Sequence, residues 1–247
     1  VAFGALFFCL LAGARVKRRV VLLGVCVILC GITLAGTWYH GQRYTVTYLP
    51  SGDGQAILLS DTARHLTVID CAGDGSSHNA AAEIREWMVW NGFDRIDTLI
   101  LTAVDKGHAR DLPALLEGTM VDRICIPEGC KRTKHNTELL DLVQEHGTWT
   151  IEQPTQLDDG AARVVLFPIA DGKLGVLIAD QILVLHSPTQ KQLAAYYSET
   201  DQIYTAPEIV LAQRGMADPD LLRLLTQTTG AERITLQAAT DVMHKFE

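Results

Sequence analysis

The sequence predicts an α/β protein in which two β-sheets are sandwiched by helices, an αββα architecture, following a transmembrane helical segment. Three observations predict it. The first 43 residues hold five basic side chains, no acidic one and two long apolar stretches. In the remaining chain, strand-like aliphatic runs occupy both ends, with amphipathic helical runs between them. Finally, Thr98–Leu116 reads as strand, polar loop and helix, the order that places ligand sites at the carboxyl ends of strands in open α/β sheets.

The apolar start comes first. Val20–Trp38 is 19 residues without a charge, close to the ~20 needed to cross a bilayer, and Trp38 and Tyr39 stand where an interfacial aromatic belt would be. Val1–Ala14 is also uncharged but short for a span. Because the chain starts at Val, the expectation is a fragment that begins at the end of a longer helix. A secretory signal peptide is the competing reading; the paired apolar stretches and the lack of a clear A-x-A site speak against it. The loop Arg15-Val-Lys-Arg-Arg19 carries four positive charges and marks the cytoplasmic side. This gives a multi-pass plasma (inner) membrane protein with residues 1–43 as transmembrane segment or segments and residues 44–247 as one extracytoplasmic domain. Five of the 21 Lys+Arg lie before residue 44, so residues 44–247 carry 16 against all 29 Asp+Glu, a net of −13. So acidic a unit does not present a general DNA-coating surface, although a local basic groove is compatible with it. Of the cysteines outside the apolar stretches, Cys125 and Cys130 could close a short loop in an oxidising compartment; buried free thiols are the equal alternative.

The elements then follow in order. Strands are predicted at Tyr44–Leu49, Ala56–Leu59 and Leu66–Ile69, with a turn at Pro50–Gly54 and a glycine-rich loop, Asp70-Cys-Ala-Gly-Asp-Gly75. Ala80–Trp90 is an amphipathic helix stopped by Gly92. Thr98–Thr102 is a buried strand, Val121–Ile126 another, Asn136–Glu145 a helix and Trp149–Glu152 a short strand. Arg163–Phe167, Leu174–Ile178 and Ile182–Leu185 are sheet strands. Pro188–Tyr197 is a helix behind the candidate N-cap Ser187. Glu208–Leu211 is a strand, Pro219–Gln227 a helix stopped by Gly230, and Ile234–Gln237 the last strand; the tail from Asp241 carries no signal.

The polar loop after Thr98–Thr102 collects Asp105, Lys106, His108 and Asp111, which invites a metal reading. As alternatives, Asp105 caps the loop or the following helix, and His108 is a hydrogen-bonded loop histidine. Asp70 and Gly73 shape a neighbouring loop that could hold an anion, but it lacks the G-x-G-x-x-G spacing, so no nucleotide cofactor is expected. The remaining histidines are scattered without ligand spacing.

Three patches carry a family resemblance. TVTYLPSGDGQAILLSD followed by LTVIDCAGDG resembles the opening of the metallo-β-lactamase-fold domain of ComEC, the competence protein that forms a DNA-uptake channel; there the pattern is strand, D-V-G-Q-G-D-A, strand, D-T-G or D-A-G. LILTAVDKGHARDLPAL resembles that family's L-L-x-T-H-x-D-x-D-H-x-G-G-L, and PEIVLAQRG its later strand ending in H-H-G. The resemblance covers most of residues 44–237 in order, and the preceding membrane helix fits it. It implies a metallo-β-lactamase-like sandwich on the outer side of the membrane, with the channel part of the same polypeptide and single-stranded DNA as partners.

The departures bear on the activity. H-x-D-x-D-H has become Ala103-Val-Asp105-Lys-Gly107-His108, H-H-G has become Gln213-Arg214-Gly215, and T-G-D has become Leu185-His186-Ser187. Of the ligands the resemblance implies, Asp105 and His108 stand in place, and His186 lies one position off. Catalytic zinc takes about three protein ligands and an open position. The expectation is therefore a degenerate pseudoenzyme module with no cofactor, in which Asp70, Gly73, Asp105, His108 and Arg214 line the old site and Arg214 supplies a guanidinium beside Asp105. The alternative is a phosphodiesterase that degrades one DNA strand, with zinc or manganese on a rearranged set drawn from Asp105, His108 and His186.

Overall fold

The computed structural model describes residues 44–52, 54–158, 162–169, 172–186, 204–212, 223, 227, 231–237 and 242–246. They belong to one compact unit, Arg43–Glu247. The apolar stretches Val1–Ala14 and Val20–Trp38 and the helix Pro188–Tyr197 lie outside the described residues, as does Pro219–Gln227 apart from Arg223 and Gln227, both helical. Among the described residues no helix is long and apolar enough to cross a membrane.

Two large sheets form the unit. The first runs β15-β1-β2-β3-β5-β7-β8, from β1 (Tyr44–Tyr48), β2 (Gln55–Asp61), β3 (Leu66–Ala72), β5 (Thr98–Ile100), β7 (Ile124–Pro127), β8 (Trp149–Ile151) and β15 (Val242–Phe246). From β3 to β8 its strands are parallel, so each return needs a crossover, and the helices α1 (Ala80–Asn91), α2 (Leu112–Gly118) and α3 (Thr137–Glu145) provide them. The second sheet runs β14-β13-β12-β11-β10-β9, from β9 (Thr155–Leu157), β10 (Val164–Ile169), β11 (Lys173–Ile178), β12 (Ile182–His186), β13 (Glu208–Ala212) and β14 (Arg233–Gln237). A small parallel pair joins β4 (Arg95–Ile96) to β6 (Met120–Val121).

Side-chain alternation builds the layers. In β2, Ile57 and Leu59 face the second sheet and meet Val164, Leu166, Val176 and Val184; Ala56 and Leu58 face the helices and meet Ile84, Met88, Leu115 and Val143. A strand covered on both faces has no place for polar alternation, which is why Ala56-Ile-Leu-Leu59 within β2 is a continuous apolar run. A third cluster covers the far face of the second sheet, where Phe167 stacks on Tyr204 with ring centroids 4.4 Å apart. The described residues thus supply helix, sheet and sheet; the elements expected to form the outer helical layer on the second sheet are those outside the described residues.

Local signals account for the elements. Asn79 caps α1 by accepting from the Ala82 N–H at 2.9 Å, and Gly92 stops it in the left-handed region at φ +74°. Two expectations need correction. Val121–Ile126 is not one strand: the Asp122 N–H donates to Ile96 O and the Arg123 carbonyl accepts from the Leu99 N–H, so the chain leaves the small pair and enters the large sheet between them. The tail from Asp241 is a strand, β15, antiparallel to β1 with Tyr44 opposite Phe246. Cys125 and Cys130 are free thiols. Cys125 is packed between the sheets, and Cys130 donates to Pro127 O at 3.3 Å.

Candidate functional site

The carboxyl ends of β3 and β5 meet the start of β11 at one edge of the sandwich, where the Leu174 N–H donates to Thr102 O at 2.8 Å and ties the two sheets together. This edge carries the site residues. Asp70, near the end of β3, has φ +59°, a left-handed conformation that aspartate adopts more readily than most non-glycine residues. Thr102 holds its carboxyl. Its N–H donates to Asp70 Oδ1 at 2.7 Å and its hydroxyl to Oδ2 at 2.6 Å. The Asp70 carboxyl is fully buried, and burial pushes it up to about 6; the nearby His108 and the two bonds from Thr102 act in the opposite direction.

The loop after β5 is held by its own side chains. Asp105 Oδ1 accepts from the Gly107 N–H at 2.7 Å and lies 2.8 Å from His108 Nδ1, while the Asp105 carbonyl accepts from the Ala109 N–H. His108 is buried and Asp105 about half-exposed. The loop is laced to β3 and the segment after it. The Cys71 N–H donates to His108 O at 2.7 Å, the Asp111 N–H to Cys71 O, and Asp111 Oδ2 accepts from both the Gly73 and Ala80 N–H groups at 2.8 Å. Gly73 is required sterically: a Cβ there would lie 2.0 Å from His78 O.

The structure therefore brings together Asp70, Gly73, Asp105 and His108. Of the two readings for Asp105, it caps its own loop; Asp111 opens α2 without a side-chain cap and instead binds the N-terminus of α1. His186 ends β12, one position beyond the Gly175–Leu185 pair and so at the same edge as Leu174. Arg214 lies outside the described residues. Two contributors were missed in the sequence, Thr102 and Asn136. Asn136 is buried at the start of α3 and donates to Val104 O at 3.1 Å, pinning the next loop to this one. The only signal in the sequence for Thr102 was a hydroxyl at the end of a buried strand; its pairing with Asp70, 32 residues away, arises from the fold.

No protein-family model matches the sequence, and no curated protein does. Among solved structures the chain is similar to a diphosphatase from the PhnP family (14% identity, 83% of this chain and 98% of that one, TM-score 0.49). It is also similar to a chemotaxis sensor, ODP, described as a peroxy diiron species (14%, 76% and 91%, 0.49), and to a metallo-β-lactamase from Cronobacter sakazakii (13%, 68% and 76%, 0.49). The likeness is one of fold, to proteins of the metallo-β-lactamase type.

The expectation of no cofactor is corrected at this point, because the similar folds include a diiron protein and metallo-β-lactamases. That expectation counted ligands in the loop after β5 and in two short motifs, whereas the segments following β12 and β13, which leave the same end of the second sheet, lie outside the described residues. Among the described residues no three His, Cys, Asp or Glu side chains gather to hold an ion. Asp105 and His108 offer two donors and Asp70 is turned onto Thr102, so the described residues alone do not make a catalytic zinc set.

Proposed function

We propose that residues 44–247 form an extracytoplasmic, non-catalytic module of a ComEC-like membrane DNA-uptake protein, attached through residues 1–43 to the channel part of the same polypeptide. The observation that carries this reading is how the motif side chains are engaged. Both Asp70 oxygens bind Thr102, Asp105 Oδ1 binds Gly107 and His108, and Asp111 Oδ2 binds Gly73 and Ala80. Each carboxylate fastens a loop to the sheet edge, which is a structural job. The ordered motifs, the uncharged Val20–Trp38 stretch and the basic Arg15–Arg19 loop support the membrane part of the reading.

The test has two arms. In the source organism, deleting the gene abolishes transformation, while Asp105→Ala and His108→Ala leave it within a few-fold of wild type. The purified full chain, supplied with zinc or manganese, cleaves end-labelled DNA no faster than those variants do. Metal-stimulated cleavage that disappears in Asp105→Ala replaces this reading with a hydrolase. Alkaline phosphatase fused after Tyr39 is active on this topology; activity only in a fusion within Arg15–Arg19 refutes it.

A further inference from the structure

Among the described residues four large apolar side chains stand exposed: Val89 (79%), Trp90 (81%), Met120 (66%) and Trp149 (41%). Strand direction puts all four at one end of the unit. β3, β5, β7 and β8 run parallel, and β1, antiparallel to β2 as β2 is to β3, runs the same way. The carboxyl ends of β3 and β5 form the edge that carries Asp70 and Thr102, and the amino ends lie opposite. Trp149 opens β8, and Met120 opens β6, just before β7. Val89 and Trp90 close α1, the crossover that returns the chain to the start of β5. Arg64, in the turn between β2 and β3, donates to Gly92 O and ties that turn to the end of α1. Arg95 pairs with Asp97 and Asp122, and Arg123 lies over the Trp149 ring, 5.5 Å from its centroid. Single exposed apolar side chains are ordinary when spread over a surface; these share one end, with arginines among them.

We propose that this end is a membrane-contact surface, which seats Val89, Trp90, Met120 and Trp149 in the interfacial zone of a lipid bilayer. The proposal rests on the membrane part of the reading above. The place where the chain enters the unit decides the occupant. Tyr44, the first residue of β1, lies at this same end, opposite Asp61. Six residue steps separate it from Trp38, the last residue of the uncharged stretch, and six extended steps reach no more than about 22 Å. A bilayer spanned by Val20–Trp38 is therefore within that distance of the end where the exposed tryptophans gather. Tryptophan, with an apolar ring and one N–H donor, sits at the headgroup level, and arginine lays its apolar stem there while its head stays in water. Charge does not make the contact. The net of −13 on residues 44–247 is repelled by an anionic surface, so the apolar side chains carry it. The Asp70–Thr102 edge, at the other ends of the strands, then faces away from the lipid.

The test uses the full chain reconstituted in phosphatidylcholine vesicles, with and without phosphatidylcholine brominated near the headgroup end of its acyl chains, which quenches indoles on contact. The chain has four tryptophans, so subtracting the emission of Trp90→Phe from that of wild type isolates Trp90. Bromolipid removes at least roughly half of the Trp90 emission. Val89→Glu/Met120→Glu, two changes at exposed positions, cuts that quenching by at least about half, because the charges resist entry into the interface. Quenching that the two charges leave unchanged refutes the assignment of this face. If the chain stays with the vesicles through an alkaline carbonate wash and Trp90 emits equally with and without bromolipid, the proposal is overturned and the membrane reading stands. If the wash removes the chain, the membrane reading falls and takes the proposal with it. If bromolipid leaves Trp90 unquenched while rising protein density shields it from aqueous acrylamide, this end joins copies of the chain and the proposal is overturned.

Discussion

Thr102→Val is the sharpest test of the site edge, because it removes one hydroxyl and almost no volume. In the wild type the carboxyl of Asp70 is raised from 3.8 to about 6. A raised folded-state carboxyl holds its proton where the unfolded chain has lost it. Its contribution to stability is therefore fully present below pH 3.8 and is lost as pH rises through 6, by about 3 kcal/mol in all (about 2 units at 1.36 each). Roughly 1 kcal/mol of that falls between pH 5 and 7.5. The Thr102 hydroxyl favours the ionised form of Asp70, so deleting it raises that carboxyl further and withdraws a charge-assisted bond from a fully buried group. The expected loss is about 2 kcal/mol at pH 7.5, in the range for bonds to buried charges, and about 1 kcal/mol or less at pH 5, where the group is mostly neutral. Urea unfolding followed by tryptophan fluorescence at the two pH values measures both losses. Equal losses, or none at pH 7.5, would refute the assignment of Thr102 as the partner of an ionised Asp70.

Other outcomes follow from the same edge. Asp111→Ala removes the acceptor shared by Gly73 and Ala80 and costs about 2–4 kcal/mol in chemical unfolding, whereas Asp111→Asn, which keeps one oxygen, stays within about 1 kcal/mol. Gly73→Ala places a methyl 2.0 Å from a carbonyl oxygen and destabilises by about 3 kcal/mol, read as a lowered melting temperature. Asn136→Ala frees the Lys131–His135 loop from Val104 and costs about 2 kcal/mol in chemical unfolding.

The sequence made the strands of the first sheet legible because a strand buried on both faces is largely apolar, as in Ala56–Leu59 within β2 and Leu66–Ile69 within β3. It made the loop after Thr98–Thr102 legible because the switch from aliphatic to polar is abrupt there. Three things escaped it for physical reasons. The strand Val242–Phe246 draws its partner from the other end of the unit, and no local pattern reports that pairing. The break at Asp122–Arg123 depends on which backbone groups Ile96 and Leu99 offer. The clamp on Asp70 depends on two strand ends coming side by side, which a reading of neighbours along the chain does not contain.

The pairing of β1 with β15 also bears on how such a unit is made. A chain delivered in order from its amino terminus presents Tyr44–Tyr48 first and Val242–Phe246 near the end of the unit. During delivery one margin of β1 has its amides and carbonyls open, while β2 can occupy the other at once. Exposed strand margins recruit other chains, so the interval before β15 arrives is when the protein is most vulnerable to intermolecular pairing. Slow synthesis, or loss of the last strand, would lengthen that interval and divert chains into aggregates without altering a single residue of the site.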